Sequence, residues 1–130
     1  MSPPPVPFIL WGALASTTVM LPAIALIAVP APPAPPPPAF AVALLFAALA
    51  VSGVSVALPR VLGGRLAPGP APTMLLLRCA LAEMAVIMGF AGRTMGLPLW
   101  HLLATAALGG VAMLLAMPGL PGGSDRRPAA

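Results

Sequence analysis

TMLLLRCALAEMAVIMGFAGRTMG, Thr73 to Gly96, is a long apolar stretch with one acidic residue near its middle. About 20 consecutive apolar residues are enough to cross a bilayer as a helix. The stretch therefore predicts a membrane-spanning helix with Glu83 near half depth, where an ionised carboxylate is costly. Glu83 is also the only glutamate in the chain. It is the main candidate for a functional residue.

The composition of the whole chain is that of a membrane protein. Hydrophobic residues make up 60% of the sequence and charged residues 6%, and the mean hydropathy is +1.06. A soluble domain would need a charged surface that this composition cannot supply. The net charge of +4 does not indicate nucleic acid, because the arginines are scattered and the chain has no Lys or Tyr. We expect the lipid bilayer as the partner of most of its surface.

Four apolar runs predict a single membrane domain over residues 1–130. The predicted helices cover about 8–29, 40–58, 74–96 and 99–117. Pro30 to Pro38 should form an extended proline-rich link, since most of its residues lack an amide hydrogen. Pro59 to Pro72 predicts a flexible loop, and 118–130 a disordered tail. The expected fold class is all-α, an integral membrane four-helix bundle.

The arginines predict how the bundle is oriented. Four of them fall on the side of the middle loop and the termini: Arg60, Arg65, Arg126 and Arg127. Arg93 is alone on the other side, and Arg78 is expected to extend its side chain toward the same boundary as the first group. The positive-inside rule then predicts a multi-pass protein of the inner membrane with both termini in the cytoplasm, N-in/C-in.

Small residues form a stripe along the third helix. They recur at spacings of three and four: Ala82, Ala85, Gly89, Gly92 and Gly96. Such a stripe lets the backbone of a neighbouring helix approach closely, so these are candidate helix-packing residues. At 100° per residue, Glu83 lies roughly opposite the stripe. Its carboxyl should face a second neighbour, a cavity or an oligomer interface.

Two interpretations of Glu83 remain open at this stage. In the first, it is a protonated structural carboxyl that hydrogen-bonds a hydroxyl of helix one or helix two. In the second, it is a proton or cation carrier. Burial penalises the charged form, so a carboxyl that alternately meets water and lipid can take up and release a proton.

No catalytic, cofactor-binding or metal site is predicted. His101 is the only histidine and Cys79 the only cysteine. We expect His101 to be an interfacial side chain and Cys79 a small buried one. Glu83 and His101 differ by about 10 Å along the bilayer normal, at 1.5 Å per residue. An enzyme would need paired polar groups at one depth, so we do not expect an enzyme.

The segment ALAEMAVIMGF, Ala80 to Phe90, resembles the carboxylate helix of the rotary ATP synthase subunit c. Glu83, Ala85, Ile87 and Gly89 occupy matching places, and Ser52 to Gly89 resembles the hairpin of that family. The resemblance implies a proton-translocating subunit with Glu83 as the ion carrier. The chain departs from the family in lacking the GxGxG repeat on helix two and the Arg-Gln-Pro of the loop, and in its two extra helices.

The whole chain resembles small four-helix bacterial inner-membrane proteins of uncharacterised activity that carry an Arg-x-Ala-Leu-x-Glu motif in helix three. Here that motif is Arg78-Cys79-Ala80-Leu81-Ala82-Glu83. Helix count, length and motif position agree with this second resemblance, which implies the fold and no particular activity. Together with the composition it favours a structural or partner-binding bundle, acting as a homo-oligomer or with another membrane protein.

Overall fold

The computed structural model describes residues 6–30, 34–62 and 71–118, which form four helices and no strand. The helices are α1 (Val6–Ala28), α2 (Pro38–Leu62), α3 (Ala71–Thr94) and α4 (Leu99–Leu115). The predicted all-α, four-helix architecture is confirmed for this part of the chain. The remaining residues of the proline-rich link, the middle loop and the predicted disordered tail lie outside it.

Three helices are long and apolar enough to cross a membrane. They are α1, α2 and the Thr73–Thr94 part of α3. The fourth helix, α4, is apolar but has only 17 residues. At 1.5 Å per residue it measures roughly 25 Å, slightly less than the hydrocarbon thickness of about 30 Å.

The bundle has a rhombic cross-section with α3 and α4 in the centre. Both α1 and α2 pack against α3 and α4, whereas α1 and α2 do not contact each other in the described residues. α1 and α4 run antiparallel, since Trp11 near the start of α1 bonds Met113 near the end of α4. α2 and α3 are also antiparallel, since Ser55 near the end of α2 bonds Arg78 near the start of α3. Because α1 and α2 lie at opposite corners of the rhombus, the α1/α3 face and the α2/α4 face are on opposite sides of the bundle.

Close approach of α3 and α4 depends on the predicted small residues. Ala82 and Ala85 are fully buried. A Cβ added at Gly89 would overlap Oγ1 of Thr105, and one at Gly92 would lie 2.8 Å from Cδ1 of Leu97. The stripe therefore packs on α4 and on the turn that leads into it.

Gly96 terminates α3 and does not extend the stripe. The helix ends at Thr94, and Gly96 adopts a left-handed φ of 102°. The amide of Leu97 donates to the carbonyl of Gly92 at 2.9 Å, and the amide of Gly96 donates to Arg93 at 3.1 Å. This is the Schellman arrangement, which favours glycine because a Cβ is disfavoured at positive φ.

The predicted loop from Pro59 is wrong for its first residues, because α2 continues through Pro59 to Leu62. A proline inside a helix removes the amide that would bond the carbonyl four residues earlier, here Ser55. In this bundle the Ser55 carbonyl accepts a hydrogen bond from Nε of Arg78 instead, at 3.2 Å. A neighbouring helix thus compensates for the missing donor.

Candidate functional site

Glu83 lies on the α1/α3 face, where its carboxyl meets a hydroxyl of α1. The side chain is half-buried, and its Oε1 is in hydrogen-bond contact with Oγ1 of Thr17, which is itself exposed. Thr17 sits near the middle of α1, and Glu83 near the middle of α3. The neighbour that the sequence left open is therefore helix α1.

The number of available protons limits how this contact can form. Oγ1 of Thr17 also lies 2.7 Å from the carbonyl oxygen of Leu14, one turn earlier in α1. A threonine hydroxyl has one hydrogen to donate, and it can accept two. If that hydrogen goes to Leu14, the hydrogen between Thr17 and Glu83 must belong to the carboxyl. A carboxyl that carries a proton would let both contacts form as separate hydrogen bonds, whereas a carboxylate would have to share the single hydroxyl hydrogen with the Leu14 carbonyl.

Arg78 is the second charged residue of the α3 motif, and it is buried. Only 3% of its surface is exposed. Its Nε donates to the carbonyl of Ser55 in α2 at 3.2 Å, and its Nη2 donates to the carbonyl of Leu115 in α4 at 2.7 Å. The hydroxyl of Ser55 in turn donates to the carbonyl of Arg78 at 2.8 Å. The side chain is thus enclosed by α2 and α4 and extends toward the last residue of α4, and its position relative to the membrane boundary stays a prediction.

Both acceptors of Arg78 are carbonyls that their own helices leave without a donor. Pro59 removes the partner of the Ser55 carbonyl. Leu115 is the last residue of α4, and the last four carbonyls of a helix have no donor within it. A cation at this end also interacts favourably with the helix dipole. These acceptors explain why the guanidinium is stable inside the bundle although no carboxylate of the described residues forms an ion pair with it.

The two charged residues of the motif therefore contact all three of the remaining helices. Arg78 bonds α2 and α4, and Glu83 contacts α1. They lie on different faces of α3 and bind different neighbours. The motif is thus a structural junction of the bundle, with Glu83 at its outer edge.

His101 is completely buried near the start of α4, and neither ring nitrogen has a hydrogen-bond partner among the described residues. Its ring lies beside Gly92, where an added Cβ would be 3.2 Å from Nδ1, and edge-on to Trp100 at 5.8 Å. The prediction of an interfacial His101 is wrong, because α3 approaches closely enough at Gly92 to enclose the ring. The prediction that Cys79 is buried is confirmed, with 0% exposure.

Trp11 makes an interhelical hydrogen bond that the sequence does not predict. Its indole Nε1 donates to the carbonyl of Met113 at 2.9 Å and so attaches α1 to α4. Residue type and position near the start of an apolar helix indicate only an interfacial anchor. A partly buried indole usually finds an acceptor, but nothing in the sequence identifies which carbonyl it is.

Among the described residues, no group of three or more His, Cys, Asp or Glu side chains is arranged to hold a metal ion. No family model, curated protein or solved structure matches the chain. The fold and the site define a class of protein, an apolar four-helix bundle with three candidate membrane spans. Its particular role has to be inferred from the site.

Proposed function

We propose that the chain is a small polytopic protein of the bacterial inner membrane, with both termini in the cytoplasm, that acts as a structural or partner-binding bundle. Glu83 is its neutral, hydrogen-bonding carboxyl. The observation that carries this proposal is that Oγ1 of Thr17 contacts both the Leu14 carbonyl and the Glu83 carboxyl but has only one hydrogen to donate. The proposal includes no catalytic role and no cofactor.

The position of Glu83 supports binding of a partner at the α1/α3 face. The carboxyl is half-buried and the adjacent Thr17 is exposed, so a helix from another membrane protein or a second copy can reach both. Polar groups at this depth stabilise association because lipid offers them no alternative partner. A neutral carboxyl has a donor and acceptors available for such a contact.

A second candidate function is proton translocation by a subunit resembling subunit c of rotary ATP synthases. The specific observation in its favour is also the partial exposure of Glu83, since an ion carrier must be reachable from outside its own bundle. The two candidates differ in whether the proton on Glu83 ever leaves. They therefore require different outcomes when the carboxyl is replaced by an amide.

Glu83→Gln should leave the fold nearly intact, with a change in unfolding free energy below about 1 kcal/mol, because the amide keeps a donor and an acceptor. Infrared difference spectroscopy of the wild type at neutral pH should show a protonated carboxyl band that the variant lacks. A band of ionised carboxylate alone would contradict a neutral Glu83. In a strain that depends on the protein, Glu83→Gln should support growth if Glu83 is structural. Loss of growth with normal folding would favour the carrier.

Thr17 provides a matched test of the same contact. Thr17→Val removes the hydroxyl at nearly constant volume, so the Glu83 carboxyl band should shift to higher frequency. Thr18→Val is the control, because Thr18 bonds only Leu14 among the described residues, at 3.5 Å. If the Glu83 carboxyl band has the same frequency in Thr17→Val and in the wild type, Glu83 and Thr17 are not hydrogen-bonded in the membrane.

The topology predicts opposite accessibility of two loops. Ala34→Cys, in the exposed link before α2, should react with impermeant maleimide only from outside the cell. Ala67→Cys, which lies outside the described residues, should react only from the cytoplasm. Both are made with Cys79→Ala, since Cys79 is the only other thiol. Labelling of both positions from one side would contradict the proposed membrane path.

A further inference from the structure

An open groove of about 810 Å³ lies between α2 and α4. It is on the face opposite Glu83 and Thr17, because α1 and α2 occupy the distant corners of the rhombus. Its lining is apolar apart from Ser52 and Arg60, both on α2. Along α2 it extends from Leu45 to Arg60, a length of roughly 22 Å at 1.5 Å per residue.

Two polar groups stand out against this apolar lining. Arg60 is exposed at one end of the groove. Ser52 is 6% exposed, and its hydroxyl is buried without a hydrogen-bond partner among the described residues. A buried hydroxyl without an acceptor is unfavourable. The hydroxyl oxygen is enclosed in its present rotamer, so an acceptor on a ligand in the groove would remove that cost only after rotation about χ1 of Ser52.

We propose that this groove binds an anionic glycerophospholipid. Arg60 binds the phosphate, the hydroxyl of Ser52 turns toward the groove by rotation about χ1 and donates to an ester carbonyl, and an acyl chain lies along the apolar lining. Ser52 is about 12 Å deeper along α2 than Arg60, and the long Arg60 side chain covers part of that distance. The site rests on the proposed membrane location and is independent of the role of Glu83.

The length of the groove favours a lipid over a partner helix. A bilayer including its headgroups is about 40–45 Å thick, so one leaflet accounts for half of that. The groove therefore matches a single leaflet, whereas a crossing helix would be expected to contact the full depth. Its only charge is positive and lies at the end, where a lipid phosphate would be. The charge and the length of the groove therefore both favour an anionic lipid.

Native mass spectrometry of the full chain in detergent tests the headgroup contact, with phosphatidylglycerol and phosphatidylcholine as probes. The wild type should bind phosphatidylglycerol about fivefold more tightly, since one basic residue contributes about 1 kcal/mol toward anionic lipid. Arg60→Gln should abolish this preference, and Arg60→Lys should retain it. Equal affinity for both lipids in the wild type and in Arg60→Gln would overturn the proposal.

The groove itself is tested by filling it. Gly53 lines the groove, and nothing lies within 4 Å of a Cβ placed there, so Gly53→Leu can place a side chain in the groove. Gly12→Leu on α1 is the matched control, because its Cβ also meets nothing within 4 Å. Gly53→Leu should reduce binding of both lipids at least several-fold, and Gly12→Leu should not.

Ser52→Ala separates the ester contact from general lipid adhesion. It should weaken binding of the ester lipids and leave an ether-linked analogue, which lacks the ester carbonyl, unaffected. If Gly53→Leu instead abolished a dimer and left lipid binding unchanged, the groove would be an interface between copies and the lipid proposal would fail. These outcomes are independent of the Glu83 spectra and of loop labelling, which test the proposed function.

Discussion

Arg78→Ala should be among the most destabilising substitutions in the bundle, costing roughly 3 kcal/mol of unfolding free energy. The variant loses two charge-assisted hydrogen bonds, each worth about 1.5–3 kcal/mol, and leaves the carbonyls of Ser55 and Leu115 without donors. Circular dichroism during titration of the detergent-solubilised protein with dodecyl sulfate gives the free energy. Arg93→Ala is the control, because Arg93 makes only one bond, to Leu97 at 3.4 Å, and its Nε has no partner in the described part of the chain.

Pro59 allows the cause of this loss to be tested. Pro59→Ala restores an amide that can bond the Ser55 carbonyl within α2. In the Pro59→Ala background, Arg78→Ala should therefore cost about 1 kcal/mol less than in the wild type, which a double-mutant cycle measures. Strict additivity of the two substitutions would show that Arg78 does not replace the donor that Pro59 removes. If Arg93→Ala lowered the free energy of unfolding as much as Arg78→Ala does, the two hydrogen bonds of Arg78 would not be the cause of its effect.

Two neighbouring glycines of α4 should differ in how much the same substitution destabilises the bundle. A Cβ at Gly109 would lie 2.7 Å from the carbonyl oxygen of Ala82 and 2.5 Å from Cγ2 of Val86, both in α3. The carbonyl belongs to the backbone, so Gly109→Leu must push the two central helices apart, at a cost of about 3 kcal/mol or more. A Cβ at Gly110 meets nothing within 4 Å.

Gly110→Leu should be neutral or stabilising by up to about 1 kcal/mol, because leucine has a higher helix propensity than glycine. The same unfolding titration compares the two variants. Since they differ only in which of two adjacent residues is replaced, hydropathy and helix propensity are matched. Similar stabilities would mean that α3 and α4 are not in backbone contact at Gly109.

The small-residue stripe and the carboxyl were accessible to sequence reasoning to different extents. A repeat of small residues at helical spacing indicates a close contact whatever the partner, and the stripe is buried from Ala82 to Gly92. Glu83 could be placed on a helix and on a face by periodicity alone. That its neighbour is Thr17 could not, because Ser16, Thr17 and Thr18 are consecutive and cover most of the circumference of α1.

The structure departs from the usual behaviour of the residue type at Arg78, Pro59 and His101, and the three departures have a common origin. The sequence predictions for these residues rest on that usual behaviour, which is that of a solvated cation, a helix breaker and an interfacial ring. In the bundle, the Ser55 carbonyl left free by Pro59 is an acceptor for Arg78, and close packing at Gly92 encloses His101. Two apparent local defects, a proline in α2 and a cation in α3, satisfy each other across the helix interface.

The sequence by itself determined the class of this chain, the number of its helices and the side of α3 that packs closely. These depend on hydropathy and on a period of 3.6 residues, which are properties of neighbours along the chain. Only the tertiary structure decided that α1 and α2 lie apart, that Arg78 joins α2 to α4, and that Glu83 lies at an outer edge. Hydrogen bonds to single carbonyls and contacts between distant helices depend on which faces meet, and apolar helices of similar composition do not specify that locally.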